Sequence, residues 1–150
     1  MITIKRTNSE NSDFISLVAK LDTYLAEVDG EDHKFYNQFN SITTLQHVIV
    51  LYLNDIPVGC GAIKEFDSNT VEVKRMFVLP KDRGIGLASK VLKELEHWAV
   101  ELKYSNCVLE TGKRQIEAIT LYQKNGYTIT LNYGQYKGVE NSICFIKTFQ

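Results

Sequence analysis

Neither sign of charge prevails in this chain: 17 Lys and Arg stand against 18 Asp and Glu, a net of −1. Bulk nucleic-acid binding, which needs a basic surface, is therefore not expected. Cysteine is scarce and odd in number. Cys60, Cys107 and Cys144 lie far apart, each among apolar residues, as buried packing residues do in a reducing compartment. No Cys-x-x-Cys or His-x-x-x-His pair occurs among them and His33, His47 and His97, so no metal is expected. Long apolar runs are also missing. The longest, residues 48–53, is too short to cross a bilayer, and residues 1–8 lack the apolar core of a signal peptide. A cytoplasmic protein with no membrane partner is the expectation. There is no repeat, low-complexity tract or linker, and 150 residues suit one domain spanning 1–150.

What is present reads as alternating strands and helices. Residues 2–7 alternate as a short strand, and Phe14, Leu17, Val18, Leu21, Leu25 and Val28 repeat at helical spacing behind a cap at Asn11 or Ser12, with Gly30 as the stop. Residues 31–40 suggest a short helix and loop. Two β runs, 47–53 and 58–66, flank the turn-forming Asn54-Asp55-Ile56-Pro57 and predict a hairpin, which 70–79 extends to a three-strand meander closed by Pro80. Residues 86–103 turn helical, 106–110 form a short buried strand, and 115–124 a second helix stopped at Gly126. Two β segments, starting near Tyr127 and Asn141, complete the order β-α-(α)-β-β-β-α-β-α-β-β. The strand-helix-strand portion forces a parallel pair, so the fold class is α/β with a mixed sheet.

The segment Val78-Leu-Pro-Lys-Asp-Arg-Gly-Ile-Gly-Leu-Ala-Ser-Lys90 carries the most chemistry. A strand ends and a helix begins there, leaving first-turn N–H groups and a partial positive charge suited to a phosphate. Gly84 and Gly86 let it approach closely, and Arg83 adds a cation. A dinucleotide fingerprint fails, because Ser89 stands at the third glycine and Asn106 where an acid is needed. A P-loop Gly-Lys-Ser/Thr is absent.

Arg83-x-x-Gly86-x-Ala88 resembles the Gln/Arg-x-x-Gly-x-Gly/Ala signature of the GNAT N-acetyltransferase superfamily. The resemblance runs through Glu72-Val-Lys-Arg-Met-Phe-Val78, Leu109-Glu-Thr-Gly112, Gln115-x-x-Ala118 and Leu121-Tyr122-x-x-x-Gly126-Tyr127, covering residues 45–149. Tyr133-Gly-Gln-Tyr136 and Ser142-Ile-Cys-Phe145 resemble the tail of one bacterial subgroup, whereas residues 1–44 match much less.

This resemblance implies an acetyl-CoA-dependent transfer to an amine acceptor. Amides from Arg83 through Gly84, Ile85, Gly86, Leu87 and Ala88 to Ser89 would hold the pyrophosphate, and backbone groups of Phe77 and Val78 the pantetheine arm, as an added strand. Gln115 stands where many relatives have asparagine, a longer reach to the same contact. Aminolysis needs a neutral amine, and an alkyl amine with a pKa near roughly 10.4 is mostly protonated at pH 7. Glu72 is the candidate base, placed by period-two alternation beside Lys74, Met76 and Val78, although a surface pair with Lys74 would explain it as well. Glu110 is a second candidate. Tyr122 matches the tyrosine that protonates the departing sulfur in many relatives, or else is a core aromatic. His33, Tyr36 and Phe39 either line the acceptor pocket or belong to an exposed loop. No cysteine pairs recognisably with histidine, so direct transfer is preferred to a covalent route. An acyl-CoA-binding sensor without turnover is the alternative, and an exposed sheet edge would allow a homodimer.

Overall fold

A computed structural model describes residues 1–32 and 45–149. Strand β1 (Ile2–Thr7) leads to helix α1 (Ser12–Asp29). Asn11 caps α1: its side-chain oxygen accepts from the Phe14 N–H at 3.0 Å, satisfying one of the N–H groups a helix start leaves orphaned. Gly30, at φ 56°, ends it, and the Arg114 guanidinium donates to the Asp29 carbonyl at 2.6 Å, placing a cation on the negative end of the helix dipole. A three-residue 3-10 turn, Gly30–Asp32, follows.

The expected meander is β2 (His47–Leu53), β3 (Ile56–Asp67) and β4 (Thr70–Val78). Its first turn is tighter than expected, because Asn54 and Asp55 both adopt positive φ, 52° and 67°, and a two-residue turn of that kind matches the twist of the flanking strands. Helix α2 (Leu87–Glu101), strand β5 (Asn106–Gly112), helix α3 (Ile116–Lys124) and strands β6 (Thr128–Thr130) and β7 (Ser142–Thr148) complete the chain. They form one seven-stranded sheet in the order β1-β2-β3-β4-β5-β7-β6. All neighbours are antiparallel except β4 and β5.

Two separate cores cover the two faces. Against α2 and α3 lie Ile49, Leu51, Val71, Val73 and Leu109 with Val91, Leu92 and Leu95 of α2; each such fully buried side chain contributes on the order of 2 kcal/mol relative to exposure. Against α1 lie Val48, Val50, Cys60, Ala62 and Phe77 with Phe14, Leu17, Val18 and Leu21. Gly61 lets α2 come close, since a Cβ there would fall 2.6 Å from Met76 Sδ and 2.9 Å from Leu95 Cδ1. Glu96 of α2 is buried but satisfied, accepting from Tyr127 Oη and Lys147 Nζ, each at 2.9 Å. No described helix is long and apolar enough to cross a membrane.

Two features of β4 shape the molecule. It pairs with β5 only at Thr70–Asn106, Val71–Cys107 and Glu72–Val108, after which the strands part and leave a cleft. It also carries a bulge: Cys60 faces Phe77 while Ala62 faces Lys74, so three steps along β4 match two along β3, with Arg75 at φ 59°. The extra residue inverts the alternation. Val71 and Val73 face α2, yet Phe77 faces α1 and Val78 faces α2. The expected sidedness of Glu72 is thereby corrected: it shares a face with Lys74 and Phe77, opposite to Met76 and Val78.

Candidate active site

The cleft between β4 and β5 holds two cavities that meet. The larger, about 330 Å³, runs from Phe77 and Val78 past Arg83, Gly84 and Gly86 to the start of α2. Pro80 opens a 3-10 turn, Pro80–Asp82, and the chain enters α2 through Gly86 at φ 83°, a left-handed conformation that glycine adopts without strain. No side chain caps α2, and its first backbone bond runs from the Lys90 N–H to the Gly86 carbonyl at 3.2 Å. Gly84 and Gly86 have nothing within 4 Å of where a Cβ would sit. The helix start thus presents amides to open space, and the residues present suit a diphosphate.

Along the cavity wall the two expected strand residues differ. The Leu79 N–H donates to the Val58 carbonyl at 2.9 Å, and Gly59 lies opposite Val78 and Cys60 opposite Phe77. By ladder alternation the peptide groups of Phe77 engage β3, whereas those of Val78 face the cleft. The Val78 carbonyl accepts from Arg83 Nε at 2.8 Å. Arg83 also lies over the Tyr24 ring at 5.1 Å and 3.7 Å from Glu117, so its cation borders the cavity rather than pointing into the turn. Ser89 Oγ accepts from Asn125 Nδ2 at 3.1 Å, tying the first turn of α2 to the end of α3.

The smaller cavity, about 90 Å³, lies beneath α1 and is lined by Glu72, Arg75, Glu110, Thr111 and Asp29 among others. Glu72 Oε2 accepts from Tyr133 Oη at 2.6 Å, and Oε1 lies 3.7 Å from Lys74 Nζ. Burial lowers the Lys74 pKa from its ordinary value, opposed by the Glu72 charge. Glu110 Oε2 accepts from Ser142 Oγ at 2.7 Å. Burial, reinforced by the charges of Asp29 and Glu72, pushes its carboxyl up to about 7. Arg75 is ion-paired with Asp22 of α1, yet its Nε and the Thr111 hydroxyl are buried without a hydrogen-bond partner among the described residues.

Tyr122, Gln115, Met76 and Leu21 line both cavities. Tyr122 is buried against the Tyr127 and Phe145 rings, at 6.0 and 5.9 Å. Burial raises its phenol pKa further above the ordinary value, so the hydroxyl stays protonated. Tyr122 is thus both a core aromatic and a wall of the junction.

The expected site residues therefore converge on one cleft, with Ile85 on its exposed rim. His33, Tyr36 and Phe39 lie outside the described residues. Sequence reasoning missed Arg75, Thr111 and Tyr136 as cleft residues and Tyr133 as the hydrogen-bond partner of Glu72. Among the described residues no group of three or more His, Cys, Asp or Glu side chains is placed to hold a metal.

Comparison with known proteins agrees with this geometry. A family model described as an acetyltransferase (GNAT) domain matches residues 44–129. An IAA acetyltransferase of Azospirillum brasilense is 31% identical over 140 residues, covering 90% of each chain. A solved Klebsiella pneumoniae structure assigned to the acyl-CoA N-acyltransferases is 28% identical, spans 100% of this chain and 99% of its own, and superposes with a TM-score of 0.84. A GNAT acetyltransferase of Elizabethkingia anophelis, solved with acetyl-CoA bound, shares the fold at 22% identity, 99% and 98% coverage and a TM-score of 0.71. The mixed sheet parted between β4 and β5, the helix start that no side chain caps and the family match have one explanation: the chain belongs to the GNAT acetyltransferase family.

Proposed function

We propose that the protein moves the acetyl group of acetyl-CoA to a primary amine by direct transfer in a ternary complex. The observation that carries this reading is the position of Tyr122 at the junction of two cavities, one fitted to a diphosphate and the other bordered by two glutamates. The amides from Arg83 to Ser89 hold the pyrophosphate, the cleft-facing peptide of Val78 holds the pantetheine arm once Arg83 yields its carbonyl, and Gln115 lies between the donor and acceptor ends.

The acceptor enters beneath α1. One of the two carboxylates, Glu72 or Glu110, takes its proton; burial first, and then the charges of Asp29 and Glu72, raise the Glu110 carboxyl. A carboxyl near 7 suits a general base at neutral pH. The neutral nitrogen attacks the thioester carbonyl carbon, the C–S bond breaks as Tyr122 Oη gives its proton to the departing sulfur, and the proton the nitrogen sheds on becoming an amide restores the Tyr122 hydroxyl. A thiol-release screen with acetyl-CoA against polyamines, amino acids, aminoglycosides and peptide N-termini tests the reading. Release with at least one amine supports it; a blank screen despite tight CoA binding replaces it with an acyl-CoA sensor.

A further inference from the structure

We propose that the acceptor is a small amino carboxylate, whose carboxylate is received by Arg75 and whose amine lies toward Glu72 and Glu110. This deepens the preceding reading and rests on it.

The inference begins with the bulge in β4. Without the extra residue, Arg75 would follow Val71 and Val73 into the apolar core against α2. Positive φ at a non-glycine residue is strained and persists only where the surroundings enforce it; here it turns a guanidinium toward α1 and the acceptor cavity. The side chain is nearly fully buried, 2% exposed. A guanidinium in such a place needs its donors met. Asp22 meets part of that need through one nitrogen, while Nε is buried with no partner. The Thr111 hydroxyl, on the same cavity, is in the same condition.

An anion is the complement that these donors lack. Its opposite end is fixed by the two glutamates, which an ammonium group fits and a second anion does not. The cavity is small, about 90 Å³, which suits both charges on one short molecule. A simple diamine would place a cation against Arg75, and an amine whose other end is apolar would leave Nε and Thr111 unmet.

The test compares acids with their own amides: glycine, alanine and 4-aminobutyrate against glycinamide, alaninamide and 4-aminobutanamide, with rates expressed per free amine. The expected preference for the best acid is at least about ten-fold in kcat/KM, the range of one charge-assisted hydrogen bond. Arg75→Met should collapse the acid-to-amide ratio toward unity and Arg75→Lys should restore part of it. Equal rates for wild-type acid and amide overturn the proposal while leaving the transferase reading intact. If no amine releases thiol, calorimetry of the same pairs on the CoA-bound wild-type protein decides: acid binding tighter than amide supports the carboxylate site even though the transferase reading falls, and equal binding overturns the site as well.

Discussion

The Tyr133 hydroxyl donates to Glu72 Oε2 at 2.6 Å across 61 residues of sequence. The contact fastens the loop between β6 and β7 to the strand that leads to the glycine turn. Asn132 holds that loop in shape, its Nδ2 donating to the carbonyls of Tyr136, Val139 and Ser142 at 3.0 to 3.2 Å. Tyr133→Phe, which keeps the ring packed on Phe66 and Tyr136, should raise the acceptor KM several-fold and leave the acetyl-CoA KM unchanged. An equal change in both would detach Tyr133 from the acceptor side.

Tyr122→Phe retains the buried ring and removes only the hydroxyl. Turnover should fall about a hundred-fold, the lower range for losing a general acid, while calorimetry finds acetyl-CoA affinity within about two-fold. Turnover at the wild-type level would remove Tyr122 from the chemistry.

Glu110 couples stability to pH. Its folded pKa of about 7 lies above the ordinary 4.5, so the folded state holds this proton more tightly than the unfolded chain. Its contribution is fully present below about 4.5 and is lost as pH rises through about 7, by at most about 3 kcal/mol. Glu110→Gln should flatten the denaturation midpoint between those limits, and should also blunt the rise of rate near neutrality. Parallel stability curves for the two proteins would contradict this.

Gly86→Ala tests the turn. No neighbour blocks the added methyl group, so the cost is conformational, about 1 kcal/mol for a left-handed position. The new Cβ also borders the open helix start. Acetyl-CoA affinity should drop by more than the stability loss explains, read by calorimetry beside urea unfolding.

Gly61→Ala tests the close approach of α2. The added carbon meets Met76, Leu95 and Val91 at 2.6 to 3.0 Å, and overpacking of that kind costs typically 1 to 3 kcal/mol, roughly. A midpoint unchanged in urea would mean that the Met76 side chain turns aside at no cost.

The parts of this molecule that depend on neighbouring residues in sequence were the legible ones. The glycine turn, the Asn11 cap and the apolar stripes of α1 and α2 each write their structure within a few residues. Arg75 illustrates what was hidden. Its positive φ breaks no local rule a reader could see, being imposed by the register of β3 against β4, and it reversed the assignment of Glu72 to a face. Tyr133 was equally hidden, because its partner depends on which strand β5 separates from β7. Thr111 lies just past the strand read from sequence and carries no signal there; only the structure shows it in the strand with its hydroxyl buried and without a partner among the described residues.

The two cores on opposite faces of the sheet back different parts of the cleft. The α2 core backs the helix start and the larger cavity. The α1 core, with the Asn132 loop, shapes the other half of the cleft. Because Leu21 and Tyr24 of α1 also line the larger cavity, a change of chemistry along α1 would be felt at both ends of the cleft, whereas a change confined to the Asn132 loop would reach only the smaller cavity, which Tyr136 lines.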